Sequence, residues 1–306
     1  MASVAQAVRV DGRTLELTNL DKLLWPDANV TKADLIHYIY AVSDLLLVHL
    51  RDRPLTVTRY PDGIEKEGFY QKDCPDYAPD WIKTYPVLAD EKGKVIRYIL
   101  VDSAPALVWL ANQAAIEYHP WMSRTASPEF PDYAVIDLDP SEGCTLADVK
   151  TVARFVRDAL GELGFQSFPK LSGATGIHVY VPLEPRHTYA ETSAFAGFIG
   201  ELATRALPDL ATNERLVKRR GRKVYVDHLQ NLPGKTVVAP YSPRPRAGAP
   251  VSVPFTWEEL DAIDPRAFTL KRLDAVLARP RTFQSLYQVR QSLDSVRERF
   301  AHRLRR

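Results

Sequence analysis

Downstream of Thr31 the apolar residues Leu35, Tyr38, Ile39, Val42, Leu45 and Leu46 form one stripe, which predicts a helix from Lys32 to about Leu47. Thr31 with Asp34 has the form of a capping box that would start it. The period then drops to two. Leu55-Thr-Val-Thr-Arg-Tyr60 alternates as a strand does and runs into the turn signal Pro61-Asp-Gly63. In mid-chain, Tyr133-Ala-Val-Ile-Asp-Leu-Asp139 reads as a strand stopped by Pro140. A helix follows, with Thr145 as N-cap, Asp148 at its third position, Gly164 just past its end and an apolar stripe through Val149, Val152, Val156 and Leu160. Gly176-Ile-His-Val-Tyr-Val181 alternates again, a helix covers roughly Thr188–Leu207, and Lys223-Val-Tyr-Val-Asp227 is a further strand. This order predicts an α/β (α+β) sheet carrying helices on a face. Pro240-Tyr-Ser-Pro-Arg-Pro-Arg-Ala-Gly-Ala-Pro250 must be extended and irregular. From Phe283 to Leu304, Leu286, Val289, Leu293, Val296 and Phe300 stand at helical spacing opposite a basic face.

Composition narrows the class. At 306 residues, 45% hydrophobic and 25% charged, the chain can bury a sizeable core in one large domain or two lobes. No apolar run is long enough for a membrane span, and Met1-Ala-Ser-Val-Ala-Gln6 has no secretory pattern. Cys74 and Cys144, the two cysteines, have no paired spacing, which fits a reducing cytoplasm and rules out a cysteine zinc site. The 40 basic residues nearly balance 38 acidic ones, so distribution matters more than net charge. Arg215, Lys218, Arg219, Arg220, Arg222 and Lys223 form one basic cluster, and Arg297, Arg299, Arg303, Arg305 and Arg306 another. Such clusters either neutralise nucleic-acid phosphates or form a solvated face.

Residues two apart in a strand share a face, so Val135, Asp137 and Asp139 point one way and Ala134, Ile136 and Leu138 the other. Two neighbouring carboxylates on an apolar strand repel and lose hydration unless a cation lies between them. A solvent-facing polar alternation is the plainer alternative. Asp227 adds a third acid at the end of another apolar strand. Three strand-borne aspartates suit two hard divalent cations with oxygen ligands, the arrangement of in-line nucleotidyl transfer. Before the His178 strand, Leu171-Ser-Gly-Ala-Thr-Gly176 is either a plain turn or a loop whose backbone amides approach phosphates; it has no Walker lysine.

Several motifs together resemble the polymerase domain of bacterial DNA ligase D, of the archaeo-eukaryotic primase superfamily. They are DLDP at Asp137–Pro140, SGATGIH at Ser172–His178 and VDHLQN at Val226–Asn231, with LTNLDKLLWP at Leu17–Pro26, TKADLIHY at Thr31–Tyr38, RYPDGIEKEGFYQK at Arg59–Lys72, EYHPW at Glu117–Trp121 and APYSPR at Ala239–Arg244. The resemblance implies an N-terminal lobe, roughly residues 10–125, packed against an RRM-like catalytic lobe, roughly 130–245. A C-terminal wrap and helix, roughly 250–304, would follow, with the active cleft between the lobes. It implies that Asp137, Asp139 and Asp227 bind two catalytic ions, manganese or magnesium. His119, Ser172, Gly176 and Arg244 would contact the incoming nucleotide, with Thr175, Gln230 and Arg59 grouped around them. His178 belongs to the same motif and can equally be a packed strand histidine. Asn19, Lys22 and Lys32 correspond to a pocket for a 5′-phosphate, and Phe69 and Tyr70 to template-stacking aromatics, unless they are ordinary core residues.

The implied activity is gap filling and end extension with ribonucleotides or deoxyribonucleotides, ribonucleotides preferred, in break or excision repair. The implied partners are DNA ends or gaps bearing a 5′-phosphate, the end-binding protein Ku and a ligase, in a cytoplasmic, nucleoid-associated setting. One departure stands out: Thr175 lies where the family usually has lysine, so one triphosphate contact is weaker here or is supplied by Arg59 or the Arg215–Lys223 cluster. Two other readings compete. A haloacid-dehalogenase-like phosphatase uses DxDx[TV], whereas Pro140 and Ser141 follow Asp139 here. A non-catalytic DNA-end-binding module would have little use for three acids facing phosphates.

Overall fold

The computed structural model describes residues 5–89, 93–279 and 281–304. The chain folds into two compact units, one taking the chain up to Trp121 with Val238–Ser252 and Arg266–Ala278, the other Met122–Val237, Val253–Pro265 and the chain from Arg279 on.

The first unit opens with a hairpin, β1 (Gln6–Val10) and β2 (Arg13–Leu17), and a short ribbon, β3 (Leu23–Trp25) and β4 (Val30–Thr31). The capping box at Thr31 and Asp34 is present and starts α1 (Lys32–Ala41). The single helix expected to Leu47 is instead two, because α2 (Ser43–Leu50) leaves α1 at a 74° bend at Val42. Val42 sits at φ −96°, ψ 6°, closing α1 through its N–H to Tyr38 and opening α2 through its carbonyl. Leu45, Leu46, Leu47 and Leu50 make α2 apolar nearly all round, and all four are buried beyond the bend. Among the described residues no single helix is long and apolar enough to cross a membrane; only this bent, buried pair passes that test together.

The sheet of this unit is centred on β5 (Leu55–Arg59), which ends in the turn expected at Pro61–Gly63. Along one edge it pairs with β9 (Ala115–Pro120); along the other it meets β6 (Phe69–Gln71) and β8 (Val95–Leu100), with β7 (Lys83–Leu88) outermost. Helix α3 (Ala104–Asn112) is buried along its whole length and packs on α1. The proline-rich strap 240–250 is irregular, as expected, and is anchored by Ala239 N–H to the Tyr118 carbonyl at 2.8 Å and by the Tyr38 hydroxyl to the Tyr241 carbonyl at 2.7 Å.

In the second unit, β10 (Tyr133–Pro140) is the middle of a five-stranded sheet. The strand order is β11 (Phe168–Leu171), β12 (Ile177–Pro182), β10, β14 (Val224–Asp227), β13 (Ala211–Thr212), antiparallel except for the last pair. Helices α4 (Leu146–Glu162) and α5 (Tyr189–Ala206) pack together on it, each started by a capping box, at Thr145 and at Thr188. Gly164, at φ +83°, ends α4 where a side chain would be strained. Tyr133 and Val135 pack on the other face with Tyr180, Phe283 and Leu286, so the alternation of β10 carries Asp137 and Asp139 onward along that face.

The C-terminal stretch corrects another expectation. Rather than one helix from Phe283 to Leu304, it comprises 3-10 turns at Arg281–Gln288 and Asp294–Val296 and a helix at Arg297–Leu304. Its apolar residues serve different places: Phe283 stacks edge-on to Tyr180 at 5.2 Å and Phe300 to Phe195 of α5 at 6.0 Å. Between them the Gln291 side chain bonds the backbones of Gln166 and Pro182. A segment that must reach two faces cannot stay one straight helix.

Candidate active site and nucleic-acid contacts

The acids lie where strand register puts them. Asp137 of β10 is directly opposite Asp227 of β14 on one side and His178 of β12 on the other, and His178 is opposite Lys170 of β11. Directly opposed residues share a face, so Lys170, His178, Asp137 and Asp227 form one row across the sheet, with Asp139 beside it. His178 is buried and holds its Nε2 3.4 Å from Asp137 Oδ1. Asp227 accepts from the Tyr225 hydroxyl at 3.1 Å, the Leu229 N–H at 2.8 Å and the Gln230 side-chain amide at 3.1 Å, which fixes its orientation. Asn231, fully buried, bonds both the N–H and the carbonyl of Val135 and so continues the β10 ladder where β14 ends.

Asp139 is the most exposed of the three and faces Arg220, whose Nη1 is 3.4 Å from Oδ2. Arg220 is held by the Glu214 and Arg215 carbonyls and lies 3.8 Å over the Tyr225 ring. With Asp137 turned to His178 and Asp139 to Arg220, no three His, Cys, Asp or Glu side chains among the described residues are gathered as a metal cluster. The donor type fits a hard divalent cation all the same: three carboxylates on one face of adjacent strands, oxygen donors throughout.

The Ser172–Gly176 loop folds around its own serine. Ser172 Oγ accepts from the N–H groups of Ala174 and Gly176, both at 3.1 Å, and Ser172 N–H bonds the Gly176 carbonyl. Gly176 is required by close approach: a Cβ there would meet the Leu138 carbonyl oxygen at 2.4 Å. The loop therefore packs against the strand that carries the acids. Thr175 stands exposed at its tip.

His119, Arg244, Arg59, Phe69 and Tyr70 belong to the first unit. Sequence reasoning missed the residue that organises two of them. Glu117 is buried on β9, two residues before His119 and therefore on the same face; its Oε1 accepts from Arg244 Nε at 2.7 Å and its Oε2 lies 3.4 Å from His119 Nε2. Burial opposes the charged carboxylate, but His119, Arg244 and Thr58 outweigh it and hold the group down at about 2. Arg59 bonds the Gln113 carbonyl and the Gln71 and Tyr77 side chains and lies 5.3 Å from the Phe69 ring centre. Phe69 and Tyr70 are not core residues: they are 46% and 67% exposed on the edge strand β6.

Asn19, Lys22 and Lys32 are brought together. Lys22 N–H bonds the Asn19 carbonyl and Lys32 N–H the Lys22 carbonyl, at 3.1 and 2.9 Å, with Asn19 in the left-handed region at φ +53°. Lys32 is buried at the first position of α1, and its ammonium reaches the Thr18 hydroxyl at 3.4 Å. Burial first, then the nearby Lys22 and Arg59 charges, lower its pKa to about 8. Lys22 pairs with Asp62 at 2.6 Å.

The basic clusters divide. Arg215, Lys218, Arg219 and Arg222 are exposed, whereas Arg220 is turned inward. In the tail, Arg297 pairs with Glu191 and Arg303 with Glu201 and His228, tying the last helix to α5 and to the segment after β14. Arg305 and Arg306 lie outside the described residues. Cys74 and Cys144 are free thiols.

A mostly antiparallel sheet with two helices on one face and three aspartates on the other is the architecture that the motifs of a primase-polymerase domain imply. Residues 31–283 match the model of the LigD primase-polymerase domain. The bifunctional non-homologous end joining protein LigD of Bacillus subtilis is 40% identical over 84% of this chain, and the multifunctional LigD of Mycobacterium tuberculosis is 37% identical over 86%. The chain spans 41% and 35% of those two proteins' lengths. The polymerase domain of Mycobacterium tuberculosis ligase D, solved in complex with DNA, superposes with a TM-score of 0.78 at 35% identity, covering 85% of this chain and 92% of that one. The chain belongs to the LigD primase-polymerase domain family, with the archaeo-eukaryotic primase fold. That membership sets aside the phosphatase alternative.

Proposed function

We propose that this chain is a template-directed polymerase that adds nucleotides to a 3′-hydroxyl at DNA gaps and breaks, with Asp137, Asp139 and Asp227 as ligands of two divalent ions, manganese or magnesium. The observation that carries this reading is the register pairing of Asp137 with Asp227, with Asp139 on the same face, in a chain of this family. When bound, the ions supply an activated hydroxyl and neutralise the triphosphate and the departing pyrophosphate. The residues do the rest. Asp227 is preset by its three hydrogen bonds, so its lone pairs need little reorganisation. Asp139 must exchange its Arg220 contact, a long one at 3.4 Å from a half-exposed carboxylate, for the ion. His178 steadies Asp137 from the neighbouring strand. Ser172 and Gly176 shape the loop beside the acids, which carries Thr175 at its exposed tip. Gln230 holds Asp227 through its side-chain amide, and His119, Arg244 and Arg59 supply donors for the nucleotide.

The same reading assigns Asn19, Lys22 and Lys32 to a 5′-phosphate and Phe69 and Tyr70 to the template. The convergence of two lysines at the capped start of α1 supports the first assignment, since a helix N-terminus favours an anion. Exposed aromatic rings on an edge strand support the second. DNA binding fits the neighbour solved with DNA. Ribonucleotide preference, cooperation with Ku and a ligase, and a cytoplasmic site of action complete the proposal. Primer extension on gapped, recessed and blunt DNA, with ribonucleotides or deoxyribonucleotides and either ion, tests it; no templated addition on any substrate rejects it, and addition to an untemplated end alone would favour a terminal transferase.

A further inference from the structure

We propose that Glu117 is the positioning residue of the nucleotide site, a single buried carboxylate that aims both Arg244 and His119 at the incoming nucleotide. This rests on the reading of those two residues as nucleotide contacts.

The argument begins with the strand. In β9, Ala115, Ile116 and Tyr118 are buried and apolar, and an acid among them must be matched by donors or its burial would be prohibitive. Glu117 is matched on both oxygens. Oε1 takes Arg244 Nε at 2.7 Å, a charge-assisted bond, and Oε2 faces His119 Nε2 at 3.4 Å. Thr58, directly across the ladder on β5, lies beside the same imidazole, with its hydroxyl 3.4 Å from Nε2.

Each contact fixes a direction. Arg244 is gripped by its Nε edge, which sets where the Nη end of the planar guanidinium lies, while its backbone is fixed by its N–H to the Pro250 carbonyl and its own carbonyl to Trp25 Nε1. A carboxylate facing Nε2 favours the proton on that nitrogen, which makes Nδ1 the ring atom turned to other partners. The Tyr70 ring stands 5.9 Å from the His119 ring, so the imidazole plane is bounded by a residue assigned to the template. Glu117 itself is buried and is not placed to touch an anionic triphosphate, which it would repel. Its effect on the nucleotide passes through its two partners, and this separates it from a ligand of the substrate.

The test is steady-state and single-turnover incorporation on gapped DNA with a titrated nucleoside triphosphate. It uses wild type, Glu117→Gln, Glu117→Asp, Arg244→Ala, His119→Ala and the double variant Glu117→Gln/Arg244→Ala. Glu117→Gln keeps the shape but presents an amide where both partners need an acceptor. Its nucleotide KM should rise about ten- to a hundredfold, as for loss of one charge-assisted contact, with kcat at saturation within about threefold of wild type. Glu117→Asp, which keeps the charge one methylene short, should fall between. Adding Glu117→Gln to Arg244→Ala should cost clearly less than it does alone. Affinity for gapped DNA without nucleotide should stay at the wild-type value, which a general loss of folding would not allow. An unchanged KM in Glu117→Gln, with raised KM in Arg244→Ala and His119→Ala, overturns the positioning role and leaves the nucleotide reading intact. Unchanged KM in Arg244→Ala and His119→Ala overturns the nucleotide reading itself, and the inference with it. Additive penalties in the double variant also overturn it. Should Glu117→Gln fail to fold, Glu117→Asp decides: a raised KM in a stable protein supports the role, and wild-type KM refutes it.

Discussion

Lys32 offers the sharpest handle on the proposed 5′-phosphate pocket, because its proton is already loosely held. Burial and the neighbouring Lys22 and Arg59 charges bring its pKa to about 8 from an ordinary 10.5. A terminal phosphate, doubly charged above about pH 7, favours the ammonium, so binding takes up or retains that proton. If only the protonated form binds well, affinity falls by one plus ten to the power of pH minus pKa. That is about twofold at pH 8 and about tenfold at pH 9, relative to pH 7. Stability of the free protein moves the opposite way. The unfolded chain keeps this proton to about 10.5, so Lys32 disfavours the fold below about pH 8, and that penalty is relieved as pH rises from about 8 to 10.5. Lys32→Ala removes both effects and weakens binding of the phosphorylated end by about ten- to a hundredfold at pH 7, for loss of about 1.5–3 kcal/mol. The assay is fluorescence anisotropy with gapped DNA carrying a 5′-phosphate or a 5′-hydroxyl, at fixed salt, from pH 7 to 9. The preference should decay through pH 8 in wild type and be small and flat in Lys32→Ala. Equal affinity for both ends at pH 7, or a decay that persists in the variant, refutes the pocket.

Three further outcomes are expected. Thr175→Lys, at the exposed tip of the Ser172–Gly176 loop, should lower the nucleotide KM about tenfold; an unchanged value would mean another cation already serves that contact. Gly176→Ala places a Cβ 2.4 Å from the Leu138 oxygen and should destabilise the second unit by about 1–3 kcal/mol, read as a lower urea midpoint; a wild-type midpoint would contradict the close packing of loop and strand. Asn231→Ala leaves the Val135 N–H and carbonyl unpaired in the sheet and should cost at least about 1–3 kcal/mol, with activity falling in step as the Asp227 segment loosens; full stability would show that water replaces the amide.

The acids were legible because strand alternation is a strict period. Two residues apart means one face, and the register then sets Asp137 directly opposite Asp227. Helix starts were equally legible, since Thr31, Thr145 and Thr188 each carry their capping partner three residues on. What escaped were features set by tertiary packing. The apolar stripe runs unbroken across Val42, so nothing local marks the 74° bend that buries α2. The C-terminal stripe likewise conceals that Phe283 and Phe300 are buried at different places. Glu117 sat inside the EYHPW motif with only His119 singled out; its signal was an acid two residues from a histidine in an otherwise apolar strand. Lys170 gave no signal at all, and only the β11–β12 register places it at the end of the row through His178 and Asp137.

The central claim is that Asp137, Asp139 and Asp227 hold divalent ions that run templated nucleotide addition. The most direct measurement is primer extension on 5′-phosphorylated gapped DNA across a manganese titration, for wild type, Asp137→Ala and Asp227→Ala, with anisotropy on the same DNA as the control. Wild type should extend with saturable manganese dependence and stop at the end of the template. Both variants should bind the DNA within about threefold of wild type and add no nucleotide at any manganese concentration, since removing one ligand takes away the hydroxyl activation and the pyrophosphate clamp together. Substantial extension by either variant, or manganese-independent extension by wild type, would contradict the account.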